Sequence, residues 1–327
     1  MTADLFAPYL IALDTLLERL GSGHALFSDA LLYQQRLQEN IERTRRHGDN
    51  ENRRSERSEI IEPLNHLCLD ALGADFNALA RQAQVRLGQD DARERRKPFE
   101  PQTVLIPAGP FLMGSADPAA PAAEQPQHTV HLPDFCIGTY PVSVREYAAF
   151  IKDRKPYPAP PGWFNRQPPP DRLDQPVTDV SWFDALAYCA WLSEQCKPRV
   201  YTLPSEAEWE KAATLFPAPP PRAGEGPGVG GSANRVEDLL GAVQQWTRSL
   251  WGSQPQQPDF GYPYDPDDGR EVTNPAKLPA QARLVHRGGS FKSRPEDLRA
   301  TARGNALPNS QIAWRGFRVV LQIEELP

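Results

Sequence analysis

Cysteine is scarce in this sequence and absent beyond residue 196. The four cysteines, Cys68, Cys136, Cys189 and Cys196, stand singly at irregular spacings. This pattern excludes the disulfide framework of a small secreted domain and favours buried thiols without a redox role. The carboxy-terminal part of the chain therefore has no thiol to offer to a soft metal or to thiol chemistry.

Long hydrophobic runs are also missing. No stretch of about 18 uncharged apolar residues occurs that would suit a membrane span, and residues 1–20 lack the basic start and continuous apolar stretch of a secretory signal. We therefore expect a cytoplasmic protein without membrane contact. The formal net charge of -6 argues against binding nucleic acid by bulk electrostatics, so nucleic acid is not an expected partner.

Proline is rare in the first hundred residues, which hold only Pro8, Pro63 and Pro98 of the 35 in the chain. Because proline interrupts helices, the early region is open to helix formation and the later region is rich in turns. Apolar residues recur there at helical spacing, so we predict an all-α bundle of three or four amphipathic helices over residues 1–88.

The bundle has recognisable helix signals. Ser28 or Asp29 is expected to cap the second helix and Asp75 a short fourth one, while Pro63 falls near the first turn of the third helix or kinks it. The inward stripe of the second helix is expected to comprise Leu32, Leu37 and Ile41.

Arginines cluster around the turn between the second and third helices. Arg43, Arg46, Arg53 and Arg54 are the candidates for docking an acidic protein partner. Acidic residues are interleaved with them, so a solvated, salt-bridged face is the first expectation and docking of an acidic partner is the alternative. His24, His47 and His66 are isolated in this region, and no catalytic grouping is expected there.

Residues 89–101 carry both signs of charge and few apolar side chains, which predicts a charged linker. After it the apolar pattern alternates as in strands, and three capping boxes announce helices. The boxes pair Ser143 with Glu146, Ser181 with Asp184, and Ser205 with Glu208.

Ordered sequence blocks then carry a family resemblance. They include Ile106-Pro107-Ala108-Gly109, Val180-Ser181-Trp182, Leu203-Pro204-Ser205-Glu206-Ala207-Glu208-Trp209-Glu210, Arg287-Gly288-Gly289-Ser290 and Gly316-Phe317-Arg318. Residues 102–324 thus resemble the formylglycine-generating enzyme and sulfatase-modifying factor family. The resemblance implies an α+β, C-type-lectin-like fold, preceded here by the small all-α bundle.

The residues that perform the family's chemistry are not found. Members that oxidise a substrate cysteine bind copper through two cysteines after Arg-Gly-Gly-Ser, whereas residues 291–299 here contain none. A second branch builds an iron site from paired histidines, but His128 and His131 are three apart on an expected strand and point to opposite faces. We therefore predict a non-enzyme without metal or cofactor; a copper or non-haem iron oxidoreductase is the alternative.

Structural calcium is left open, because the block Gly241-Ala242-Val243-Gln244-Gln245-Trp246 lacks the family's charged ligand. Large rings such as Trp182, Trp209 and Trp246 are expected to anchor the core. Arg287, Arg303 and Arg318 are expected to be buried forks that satisfy loop carbonyls, rather than ligand-binding groups.

The domain also resembles the variable proteins of bacterial diversity-generating systems, and the early helices resemble adaptor domains of bacterial conflict systems. This implies a defence-related sensor that recognises a ligand of unknown identity through its last loops and docks to an effector such as a protease or NTPase. The ligand-binding candidates are Phe291, Lys292, Arg294, Asn305, Asn309, Gln311, Trp314 and Arg315.

Overall fold

Two units of the chain are defined by their internal packing, Met1–Arg96 and Lys97–Pro327, in a computed structural model. The structure describes residues 6–21, 23–73, 75–83, 96–216 and 236–322. Most of the predicted linker 89–101 and the whole of the glycine-rich stretch 224–231 lie outside these ranges. Within them, no helix has the length and apolar character needed to cross a membrane.

Four helices lie in the described residues of the first unit. They are α1 (Ala7–Leu20), α2 (Phe27–His47), α3 (Glu51–Leu72) and α4 (residues 76–83). Their shared core includes Leu13, Leu16, Leu37, Ile41, Ile60, Leu64 and Phe76, all 1% exposed or less. The helical-bundle prediction is confirmed.

Two details of the helix predictions need correction. Leu32 is 56% exposed, so its assignment to the inward stripe was wrong. The buried face of α2 instead includes Ala30 and Asn40, because Asn40 donates hydrogen bonds across to α3. Helix α2 begins at Phe27 and has no side-chain cap, so neither Ser28 nor Asp29 caps it.

One predicted helix cap is confirmed and another cap was missed. Asp75 Oδ1 accepts from the backbone nitrogen of Ala78 at 2.6 Å, which confirms the cap of α4. Asn50, which the sequence reading passed over, caps α3 by accepting from the nitrogen of Arg53 at 2.9 Å. Pro63 lies in the interior of α3.

The described part of the second unit contains ten short strands, three α-helices and several short 3-10 turns. The strands are β1 (Thr103–Ile106), β2 (Gly109–Met113), β3 (His128–Leu132), β4 (Phe135–Gly138), β5 (Val200–Thr202), β6 (Gln244–Gly252), β7 (Arg283–Arg287), β8 (Arg303–Ala306), β9 (Arg315–Phe317) and β10 (Val320–Gln322). The helices are α5 (Val144–Asp153), α6 (Trp182–Gln195) and α7 (Glu206–Leu215).

The strands form three sheets, ordered β1-β4-β10-β5, β2-β3 and β8-β7-β6-β9. Only β6 and β9 pair in parallel among these strands; the other pairs are antiparallel. With helices preceding a mixed helix and sheet domain, the α+β prediction is confirmed.

Capping boxes start α5, α6 and α7 as predicted. At α6, Ser181 Oγ accepts from the nitrogen of Asp184 at 3.1 Å, and Asp184 Oδ2 accepts from the nitrogen of Ser181 at 2.8 Å. The reciprocal bonds satisfy two backbone donors that a helix start otherwise leaves unpaired.

Buried indoles tie the helices to β6. Trp182 Nε1 donates to the Thr247 carbonyl at 2.9 Å, and Trp209 Nε1 donates to Gln245 Oε1 at 2.8 Å. Trp182, Trp209 and Trp246 are fully buried, so their predicted role as core anchors is confirmed. This packing holds the sheet β8-β7-β6-β9 in place, and the loops that follow its strands carry the candidate site.

Candidate functional site

Glu206 is the centre of a buried ion-pair cluster that positions the last strands. Arg303 of β8 donates two bonds of 2.8 Å to its carboxylate, and Arg270 and Arg287 lie 3.5 and 3.7 Å from it. Arg287 of β7 also pairs with Glu210. These contacts hold β7 and β8 against α7. The loop between the two strands, residues 288–302, is therefore anchored at both ends.

Arg318 is a buried fork of the kind the sequence predicts. Its guanidinium donates to the carbonyls of Gly138 at 2.7 Å and Glu237 at 2.9 Å, and to Gln245 Oε1 at 2.6 Å. Burial lowers the pKa of Arg318 to about 9. Because Gln245 Oε1 is already shared by Arg318 and Trp209, it is not free to serve as a calcium ligand.

The turn after Arg287 depends on two glycines. Gly288 and Gly289 have φ of 93° and 61°, a region that side chains disfavour. A Cβ on Gly288 would lie 2.3 Å from the Leu239 carbonyl oxygen. Ser293 then closes the turn, since its Oγ accepts from the Ser290 nitrogen at 3.0 Å. The segment that follows Arg287 is therefore held in one conformation.

Ser293 and Leu298 face each other across Gly289. Measured from the position of a Cβ on Gly289, Ser293 Oγ is 3.1 Å away and Leu298 Cδ2 is 2.6 Å away. Copper that drives cysteine oxidation needs soft thiolate ligands. A hydroxyl and an isobutyl group supply none, so this segment does not fit a copper ion.

The cysteines elsewhere are buried thiols. Burial raises the pKa of Cys68 to about 12 and of Cys196 to about 11, and it also raises that of Cys189. Cys136 is buried as well. None of the four is in a disulfide, and a thiol with a raised pKa is a poor nucleophile and metal ligand at neutral pH.

The histidines do not converge on a metal site. His128 Nε2 accepts from the Tyr264 nitrogen at 2.8 Å, whereas His131 of the same strand is exposed. His286 is partly buried and packs edge-on against Trp246, with its ring in the space beside Gly304. In the described ranges, no group of three histidine, cysteine, aspartate or glutamate side chains could hold a metal ion.

Five of the eight ligand-binding candidates are exposed: Phe291, Lys292, Arg294, Asn309 and Gln311. Phe291 is 62% exposed. Arg294 is engaged with Asp297 through bonds of 2.9 and 3.2 Å, so its charge is largely neutralised. Gln311 donates to Asp184 Oδ2 at 2.9 Å, at the start of α6.

Two further candidates are partly buried. Trp314 is held through its backbone carbonyl, which accepts from the Gln244 nitrogen at 2.9 Å. Asn305 accepts from Arg283 and donates to the Pro255 carbonyl at 2.9 Å, so its amide already serves the fold. Of these two side chains, only that of Trp314 makes no hydrogen bond to any residue that the structure describes.

Arg315 was wrongly predicted as an exposed contact, because it is only 5% exposed. Its Nε and Nη2 donate to Gln244 Oε1 at 3.1 and 3.0 Å, and its guanidinium lies 4.5 Å from the centroid of the Trp246 ring. Burial lowers the pKa of Arg315 to about 10. The parallel pairing of β9 with β6 places this side chain inside.

Two exposed apolar side chains near the same loops were missed: Phe183, 38% exposed, and Leu307, 44% exposed. The Trp182 nitrogen donates to the Pro308 carbonyl at 2.9 Å, which brings the start of α6 against the loop after β8. The exposure of Phe183 was predictable from the sequence, because Phe183 does not share the helix face of the buried residues Trp182 and Ala185.

Each of the candidate docking arginines of the first unit has an intramolecular partner. Arg43 pairs with Glu56 at 2.6 Å, Arg46 with Glu42 at 3.3 Å and Arg54 with Asp49 at 2.8 Å. Arg53 donates to the carbonyls of His47 and Gly48. This arrangement is the salt-bridged face that the sequence predicts as the first expectation.

Comparison with known proteins adds to this geometry. The hercynine oxygenase of Mycolicibacterium smegmatis is 30% identical, with 45% of this chain and 45% of the relative covered. The inactive C-alpha-formylglycine-generating enzyme 2 of Mus musculus is 30% identical, with 35% and 47% covered. The chain spans about half the length of the curated relatives it matches.

A solved structure, that of PvdO from Pseudomonas aeruginosa, shares the fold. It superposes with a TM-score of 0.51 at 23% identity, over 69% of this chain and 96% of PvdO. Residues 88–225 and 216–323 match the sulfatase-modifying factor enzyme 1-like domain. The chain therefore belongs to the sulfatase-modifying factor enzyme 1-like domain family.

Proposed function

We propose that this protein is a non-enzymatic recognition subunit. Its second unit binds a protein or other ligand through the loops after β7 and β8, and its helical unit docks to an effector such as a protease or NTPase, in bacterial defence. The observation that carries the proposal is that residues 291–299, the segment in which cysteine-oxidising members of the family bind copper, contain no cysteine and place Ser293 and Leu298 beside Gly289.

The loop geometry suits recognition. Phe291 stands out from a turn whose backbone is tied by the Ser290 and Ser293 bonds, so little conformational freedom is lost when a ligand covers it. Aromatic side chains on rigid supports are typical affinity-determining contacts. The relative whose name calls it inactive also supports a use of this fold without catalysis.

The exposed ion pairs of the helical unit support a docking role, because a partner's acidic side chains could replace the intramolecular ones. Arg43, Arg46 and Arg54 have side chains at least half exposed. Exposed pairs of this kind contribute about 0–1 kcal/mol each, so an acidic partner could replace the intramolecular acids at small cost. Affinity capture of the full chain from its native host should recover one effector, and replacing these arginines with glutamate should abolish the capture.

A metal titration tests the non-enzymatic claim. We expect the purified full chain to take up no stoichiometric copper or iron, while the double substitution Ser293→Cys with Leu298→Cys should bind Cu(I) in competition with a chelator. Stoichiometric redox metal in the unmodified chain would overturn the proposal.

The second candidate is a metal-dependent oxidoreductase using copper or non-haem iron. The 30% identity to a hercynine oxygenase favours it. This candidate requires that metal-loaded protein consume oxygen in the presence of a thiol substrate, which the first candidate does not allow.

A further inference from the structure

Three backbone hydrogen bonds place the exposed loops of the second unit side by side. The Trp182 nitrogen donates to the Pro308 carbonyl at 2.9 Å, the Gln244 nitrogen to the Trp314 carbonyl at 2.9 Å, and the Phe291 nitrogen to the Ala242 carbonyl at 3.4 Å. The start of α6, the loop between β8 and β9, and the turn after β7 therefore lie along one another, with residues 242–244 between the last two.

Apolar side chains line this arrangement. Phe183 and Leu307 are 38% and 44% exposed at one end, Phe291 is 62% exposed at the other, and the partly buried Trp314 lies on the loop between them. The Phe183 ring packs edge-on against the buried Trp182, with 5.5 Å between centroids. Large apolar groups on fixed backbone are a common core of protein interfaces.

Lys292 is an exposed positive charge on this surface, and the acids on the same turn, Glu296 and Asp297, pair with Arg294 instead. Lys292 lies over the Phe291 ring, 5.5 Å from its centroid, and makes no ion pair with any residue that the structure describes. Arg315, beneath the Trp314 backbone, is held by Gln244 and Ser310, which are neutral.

Asp184, the acid at the start of α6, is already engaged within the chain. Asp184 Oδ1 accepts from the Tyr157 hydroxyl at 2.7 Å, and Asp184 Oδ2 accepts from Ser181 and Gln311. A ligand that carries a carboxylate would therefore meet an unpaired ammonium at Lys292 and no competing free carboxylate at Asp184.

We propose that Phe183, Leu307, Trp314, Phe291 and Lys292 form one recognition surface, and that its partner is a protein segment presenting an apolar side chain beside a carboxylate. The proposal rests on the recognition function proposed above and specifies its ligand class. It adds Phe183 and Leu307 to that site and leaves out the buried Arg315.

A random-peptide display library selected on the full chain tests this surface. Enriched peptides should carry aspartate or glutamate next to an aromatic or aliphatic residue. Fluorescence anisotropy with one such peptide should show about tenfold weaker binding for Phe183→Ser and for Phe291→Ser, the usual loss at a central apolar contact. Lys292→Glu should weaken binding by about two- to fivefold, and less so at high salt.

Phe164→Ser is the matched control, because Phe164 is 81% exposed on a loop outside the surface, and its binding should equal that of the unmodified chain. If Phe291→Ser abolishes binding while Phe183→Ser and Leu307→Ser leave it intact, the proposed surface is wrong although recognition stands. Enriched peptides without acidic residues would also overturn it, as would a self-association of the chain that Phe183→Ser removes.

Discussion

Substitution of Glu206 by glutamine directly perturbs the buried ion-pair cluster that anchors the strands next to the candidate loops. Glutamine keeps the size of the side chain and removes its charge. In the native chain the Glu206 carboxylate is fully buried and receives two bonds of 2.8 Å from Arg303, whose side chain is also fully buried. Arg287 and Arg270 keep other acids after the change, Glu210 and Asp268 respectively.

Arg303, in contrast, has no second acidic partner among the described residues. Its other hydrogen bonds in the described structure go to the carbonyls of Ala123 and Phe260, which are neutral acceptors. Removing one partner of a buried pair leaves an uncompensated charge in a medium of low polarity and costs about 3–5 kcal/mol. We therefore expect Glu206→Gln to lower the free energy of unfolding of the second unit by about 3–5 kcal/mol.

Tryptophan fluorescence in a urea titration measures this unit selectively, since all seven tryptophans of the chain lie beyond residue 162. The matched control is Glu194→Gln: Glu194 is 56% exposed and pairs with Arg154 at the surface. Such a pair contributes about 0–1 kcal/mol. If both substitutions shift the urea midpoint equally, the reasoning about the buried cluster is refuted.

Three further outcomes are expected. Gly289→Ala should destabilise the second unit by about 1–3 kcal/mol in the same assay, because φ is 61° and the new Cβ would lie 2.6 Å from Leu298 Cδ2; an unchanged midpoint would contradict the turn geometry. Burial lowers the pKa of His286 well below 6.5, so the unfolded chain binds the proton more readily and stability should fall as pH drops below about 6.5; thermal melts of His286→Gln should lack this part of the pH dependence. Asn50→Ala should lower the stability of the helical unit by about 1 kcal/mol through loss of the α3 cap, measured by far-ultraviolet circular dichroism, whereas Asn50→Asp should retain most of it.

Much of the local structure was predictable because its causes lie close together in the chain. A capping box joins residues three apart, so Ser143, Ser181 and Ser205 identified three helix starts directly. The predicted inward stripe of α2 was wrong at Leu32, because residues five apart on a helix, such as Leu32 and Leu37, lie about 140° apart and do not share a face. The burial of Asn40 was missed because its partner Glu56 lies on α3.

The candidate surface was predictable only in part. Phe291, Lys292 and Gln311 are exposed as expected, since they follow glycine- or strand-ending signals. Arg315 was not predictable, because its hydrogen-bond partner Gln244 is 71 residues away in sequence. The start of α6, which carries Phe183, lies beside the loop after β8 because the Trp182 nitrogen donates to the Pro308 carbonyl, far along the chain.

The sequence by itself determined the helix starts, the order of the family's blocks and the absence of cysteine after residue 196, because each is a property of neighbouring residues or of composition. Only the tertiary structure decided that three arginines meet at Glu206, that Ser293 and Leu298 meet at Gly289, and which loop residues reach solvent. The physical reason is that burial and charge pairing depend on strands and loops brought together from distant positions, which local sequence patterns do not encode.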